Sequence, residues 1–147
     1  VRATELPTAG APATATTRLI DGWYAQGKTL DHGFLPPAWR VDESQPQFAG
    51  AARFYREVVG ASCRTCHTAL GSNFDWDALG PLALRGRAET HVCGGTAEIA
   101  LNASMPNALI SRDRVAEKLR VDPSLAALMR TFLGCDAPRP DPAYPQR

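Results

Sequence analysis

Apolar positions recur three and four residues apart at Ala51, Phe54, Tyr55, Val58, Val59 and Ser62, the spacing of one face of a helix. This stripe predicts an amphipathic helix ending at Cys63, and Ser44-Gln45-Pro46-Gln47 in front of it resembles a capping box with Pro in the first turn. A second stripe, Leu125, Leu128, Met129, Phe132 and Leu133, predicts a last helix. Asp122-Pro123 reads as its N-cap and first helical position, and Gly134 as its stop. Between the two, Ser111 to Val121 reads as a helix with Val115 and Leu119 four apart. Shorter helices are expected near Leu19–Gln26, over Arg87–Cys93 before Gly94-Gly95, and over Thr96–Asn102. Loops are expected through Gly71-Ser72-Asn73, at Gly80-Pro81 and at Gly86. No apolar run approaches the roughly 18 residues of a membrane span.

The flanks differ from this middle. Val1 to Thr17 is rich in Ala, Thr and Pro and reads as a flexible arm. Arg18 to Glu43 carries apolar anchors, among them Leu19, Trp23, Phe34 and Trp39, interrupted by Gly33 and Pro36-Pro37. The expected organisation is an arm and extension packed on the core over 1–43, a main domain over 44–136, and a Pro-rich tail over 137–147. No charged stretch followed by an apolar one opens the chain, so its numbering is expected to begin at a mature N-terminus or a domain boundary.

Composition narrows the class. The chain has 147 residues, 44% hydrophobic and 21% charged, about one domain with a single core. Sixteen basic against fifteen acidic residues leave +1, which gives no electrostatic case for nucleic acid or an anionic membrane. Arg outnumbers Lys by 14 to 2, a mark of genome composition. Only 10 residues are Val or Ile, so a large sheet is disfavoured and an all-α fold is expected.

The chemistry lies in the cysteines. Cys63-Arg64-Thr65-Cys66-His67 has the Cys-x-x-Cys-His spacing by which c-type haem is attached. On a helix, residues at i, i+3 and i+4 share a face. Two thiols can therefore add to the two haem vinyl groups while the imidazole meets the iron from the same side. A zinc site would need two further ligands from Cys93, Cys135, His91 or His67, which lack the usual paired spacing. A thioredoxin-like pair would need a βαβ frame. One covalent haem, bound through Cys63 and Cys66 with His67 on the metal, is the expectation.

For the sixth position Met105 leads. It lies 38 residues beyond His67 and is followed by Pro106, which disfavours helix there. Met129 sits on the apolar stripe of the last helix, where packing explains it. His91, His32 or a Cys93 thiolate are the alternatives.

These residues resemble class I cytochrome c across roughly Gln47 to Cys135. The resemblance rests on Cys63-Arg64-Thr65-Cys66-His67, Gly80-Pro81-Leu82, Met105-Pro106 and the closing Leu128-Met129-Arg130-Thr131-Phe132-Leu133. It implies a cytochrome c-like helical domain around one haem, with an irregular N-terminal extension. It also implies that the Pro81 carbonyl accepts from His67 Nδ1–H, that Leu82 or Leu84 packs on the haem, and that Phe132 packs where the first and last helices cross. Family members place a Gly and an aromatic close before the first cysteine, whereas Phe54 and Tyr55 stand further upstream. The Cys93–Cys135 pair is extra, either free thiols or a disulfide closing a loop of about 43 residues.

The function implied is single-electron transfer between redox protein partners, with no nucleic acid partner, in the periplasm or another extracytoplasmic space where disulfides persist. No acid–base or nucleophile constellation suggests an enzyme. The alternatives are a haem module docked on, or cut from, a larger membrane-associated or periplasmic oxidoreductase, and a catalytic haem with a Cys or open sixth position. Arg85 and Arg87 could meet haem propionates or be solvated loop residues. Arg112, Arg114, Lys118 and Arg120 come after Met105, but Asp113 and Glu117 partly cancel them, so a solvated helix face is expected.

Overall fold

Why the two long apolar stripes become helices, and what they bury, is visible in a computed structural model that describes residues 15–24, 29–64, 75–93 and 109–135. The fold is all-α, and no strand occurs among the described residues. Helix α1 spans Ala15–Trp23. Helix α2 begins at Ala51–Phe54 and runs on as a π-helix over Tyr55–Cys63. Helices α3, Pro81–Val92, α4, Leu109–Val121, and α5, Ser124–Leu133, complete the order. Two 3-10 turns, Pro37–Trp39 and Pro46–Phe48, link α1 to α2.

All six positions of the first stripe, Ala51 through Ser62, are buried. The end of the helix is wider than an α-helix, since the Arg64 N–H bonds the Val59 carbonyl five residues back. Its start differs from the expected capping box. Gly50 takes a left-handed conformation (φ 80°), and the Glu43 carboxylate accepts from the N–H groups of Gly50 (3.2 Å) and Ala52 (2.9 Å). Ser44 instead donates to Asp42. The turn over Pro46–Phe48 delays the helix, so an acidic side chain seven residues upstream does the capping.

The second stripe matches its expectation. Leu125, Met129, Phe132 and Leu133 are buried, and Gly134 closes the helix at φ 91°. Asp122 accepts from the Ser124 N–H (3.1 Å) and hydroxyl (2.6 Å), which is the N-cap role. Arg53 of α2 reaches Asp122, Ser124 Oγ and Glu57, tying the start of α5 to α2.

The two helices cross at Phe54 and Phe132, whose rings are 5.1 Å apart. One turn earlier on each, Gly50 faces Leu128, and a Cβ on Gly50 would stand 2.6 Å from Leu128 Cδ2. The expected meeting of first and last helices at Phe132 is therefore present. Trp39 lies against Phe54 and Tyr55 at 6.3 and 5.0 Å. Leu19 and Trp39 share one buried cluster with Phe54 and Phe132, so described residues of the extension belong to the core.

Two boundaries differ from expectation. Helix α1 starts at Ala15, inside the stretch read as an arm, because Leu19 and Trp23 need a helix to reach the core. Helix α3 starts at Pro81 rather than Arg87, absorbing the loop expected at Gly80-Pro81 and Gly86. Proline suits a first helical position, and Leu84 and Ala88, four apart, are its buried residues. The expected Thr96–Asn102 helix, the Gly71–Asn73 loop, 1–14 of the arm and the tail over 137–147 lie outside the described residues.

Two glycine substitutions should move stability in opposite directions. Gly50→Ala puts a Cβ into Leu128 on a left-handed backbone and should destabilise by about 1–3 kcal/mol. Gly86→Ala, in an open stretch of α3, should stabilise by about 0.4–1 kcal/mol. Denaturant unfolding checks both.

The Asp122 carboxyl is held below its usual 3.8, first by the Ser124 hydroxyl and further by the Ser124 N–H and the Arg53 charge, against opposing desolvation. A folded value below the unfolded one contributes stability above the unfolded pKa and loses it as pH falls through the folded pKa. Asp122→Asn should therefore flatten the acid limb of the unfolding midpoint from about pH 5 downward. A thermal-unfolding series across that range reads the change.

Candidate haem-attachment site

Cys63 is the last residue of the π-helix, half-buried and packed on the edge of the core. Val58 and Val59 anchor the turn before it, so the core fixes where the helix ends. Cys66, His67 and Met105 lie outside the described residues. What can be located is the chain on either side of them.

Helix α4 begins four residues after Met105 and braces the end of α2. Ser111 Oγ donates to the Ser62 carbonyl at 3.4 Å, and Lys118 Nζ donates to the Glu57 carbonyl at 2.6 Å. A residue six beyond Met105 thus touches the residue before Cys63. The sequence separation between the two motifs is bridged by the fold.

The turn that leads into α3 is built on the N-terminal extension. Trp39 Nε1 donates to the Leu79 carbonyl (2.8 Å), and the Ala38 N–H donates to the Asp77 carbonyl (3.1 Å). Gly80 permits this approach, since a Cβ there would lie 2.9 Å from the Ala38 carbonyl oxygen. Arg18 of α1 pairs with Asp77 (2.6 Å) and Asp75 (2.9 Å). Pro81 is buried at the first position of α3, where a carbonyl is normally taken by the N–H four residues on. Leu82 and Leu84 part company: Leu84 is in the core, and Leu82 is 54% exposed.

Cys93, just past α3, and Cys135, just past α5, form a disulfide with Cα atoms 5.6 Å apart. The bridge takes both extra cysteines. Cys93 therefore has no thiolate to offer an iron, and a zinc set drawing on Cys93 or Cys135 loses its ligands. The described residues contain no strand and so no part of a thioredoxin-like frame. Two thiols and an imidazole at i, i+3 and i+4 remain as the donor set, carried from the end of a core helix by Cys63. That chemistry fits a covalent haem. Among the described residues no group of three or more His, Cys, Asp or Glu is placed to hold a metal ion.

The other candidates sort by position. Met129 is fully buried and packs in the core, as its place on the stripe predicts. His32 is exposed, and the side chains of His91, Arg87 and Arg112 lie outside the described ones. Of the basic residues on α4, Arg120 pairs with Glu117 (2.6 Å) and Lys118 is held by Glu57, while Arg114, like Arg85 of α3, is exposed.

Sequence reasoning passed over Arg64. Its guanidinium carbon sits 4.0 Å from the centre of the Trp23 ring and 5.8 Å from that of Tyr55, and its NH1 donates to the Tyr55 hydroxyl at 3.2 Å. Nothing in the spacing of Trp23, Tyr55 and Arg64 signals a contact between α1 and the π-helix that runs from Tyr55 to its cap at Arg64.

No family model, curated protein or solved structure matches the chain.

The disulfide closes a loop across a sequence separation of 42 residues. Cys93→Ser with Cys135→Ser should lower stability by about 4 kcal/mol, the chain-entropy value for such a loop. Thiol titration of the unfolded wild type, before and after reduction, should show the two extra thiols only after reduction.

Proposed function

We propose that the chain is a monohaem c-type cytochrome that moves single electrons between protein partners. The observation that carries this reading is Cys63-Arg64-Thr65-Cys66-His67 leaving the end of a core helix, with the other two cysteines engaged in their own bridge. Cys63 and Cys66 would hold the haem through thioether bonds, with His67 and Met105 on the iron. The haem supplies the one-electron couple. The chain's own residues bind it, orient it and keep water away.

Three further features support the reading. The Ser111–Ser62 contact brings the chain beyond Met105 back to the attachment helix. The crossing of α2 and α5 at Gly50, Phe54, Leu128 and Phe132 resembles the packing of first and last helices in class I cytochromes c. Its glycine and aromatic stand four residues apart, though further from the first cysteine than in that family. The disulfide suits the oxidising, extracytoplasmic space in which c-type haem is attached.

Expression in a host that matures c-type cytochromes, followed by a pyridine haemochrome and reduced-minus-oxidised spectra, tests the proposal. One covalent haem per chain is expected, with the weak red Fe(III)–Met band. Cys63→Ala with Cys66→Ala should abolish covalent attachment, and Met105→Ala should remove the red band and open the iron to carbon monoxide. Protein from such a host that carries no haem overturns the reading. A red band that persists in Met105→Ala overturns the Met105 assignment.

A further inference from the structure

Arg64 stands out among the charged side chains because two aromatic rings, Trp23 and Tyr55, lie within 6 Å of its guanidinium. Arg18, Arg53 and Arg120 each contact carboxylates. Arg64 lies half-buried between the Trp23 and Tyr55 rings, beside Gly60. Its only hydrogen-bond acceptor among the described side chains is the Tyr55 hydroxyl. Aromatic faces attract a cation without cancelling its charge. A positive charge is therefore held, partly shielded from water, one residue beyond Cys63.

The cage also has a cost. Trp23 Nε1 is buried with no hydrogen-bond partner among the described residues, and a buried unpaired N–H costs about 1–3 kcal/mol. The ring packs on Arg64 despite that penalty. Helix α1 thus holds Arg64, and is itself held by the Arg18 pairs with Asp75 and Asp77 and by buried Leu19.

We propose that Arg64, caged by Trp23 and Tyr55, is a positioning residue whose fixed charge raises the reduction potential of the haem, so that the N-terminal extension tunes the redox centre. The inference rests on the cytochrome reading. Reduction adds one electron to the iron, supplied by the donor protein, and removes one positive charge from the site. A nearby uncompensated cation favours that reduced state, and a low-dielectric surrounding strengthens the effect.

Redox titration of the purified holoprotein tests it. Arg64→Gln should lower the reduced-to-oxidised ratio at a given potential about tenfold, equivalent to about 59 mV for one electron. The red Fe(III)–Met band should be unchanged. Arg64→Lys, which keeps the charge without the planar fork, should stay close to wild type. Trp23→Ala, which frees the guanidinium to enter water, should shift in the same direction as Arg64→Gln, whereas Trp23→Phe should retain most of the wild-type potential. If Arg64→Gln does not retain haem, Trp23→Ala against Arg64→Lys gives the same comparison. An unchanged midpoint in Arg64→Gln or in Trp23→Ala overturns the inference while leaving the cytochrome reading intact. Equal shifts in Arg64→Gln and Arg64→Lys also overturn it, because the fork and not the charge would then be responsible. A wild-type protein without covalent haem overturns both readings together.

Discussion

Gly50 and Phe54 meet Leu128 and Phe132, each pair four residues apart on its own helix, and the remaining packing is arranged around that meeting. The absence of a side chain at Gly50 sets how closely the helices approach, and the two phenylalanine rings then fill the space one turn on. Trp39 and Tyr55 extend the aromatic layer. Buried aromatics each remove a large apolar area from water, so this layer is the main source of stability in a chain of modest size. Arg53, reaching from α2 to Asp122 and Ser124, adds polar contacts between the same two helices.

The same frame fixes the ends of the two segments that carry the haem-ligand candidates. Arg64 is caged by Trp23 and Tyr55, and Asp75 is paired with Arg18. Cys93 is bonded to Cys135, and Ser111 is joined to Ser62. Each segment therefore leaves and re-enters the core at an anchored residue. Anchoring both ends removes much of the chain entropy that placing a ligand would otherwise cost.

Periodicity made the two main helices legible, because their apolar positions repeat at the helical period and both ends carry turn chemistry. Helix α3 was only half legible: among its described apolar side chains Leu84 and Ala88 are in the core but Leu82 is exposed, and Gly86 breaks the pattern without breaking the helix. The cap of α2 was misread because Glu43 reaches over a 3-10 turn, a tertiary arrangement with no fixed spacing in sequence. At the site, the motif is five consecutive residues, of which the structure describes Cys63 and Arg64. The Cys93–Cys135 pairing was open, since Cα separation depends on the α3–α5 packing. The Arg64 cage was not readable, because Trp23 reaches it from α1, a tertiary contact with no fixed spacing in sequence.

The extension bears on how the domain is bounded. An N-terminal segment absent from the minimal family fold first suggests a docking arm for a larger oxidoreductase. Leu19 and Trp39 are buried in the common core, Trp23 is packed on Arg64, and Arg18 is paired across to the turn before α3. Apolar side chains enclosed within the domain are not available to a partner. Leu19, Trp23 and Trp39 therefore act inward, bracing the end of α2 as α4 also does, while Tyr24 and Leu30 of the same extension stay exposed. On α4 the Arg120–Glu117 pair cancels within the helix, while Lys118 keeps its charge on a backbone carbonyl and Arg114 is exposed.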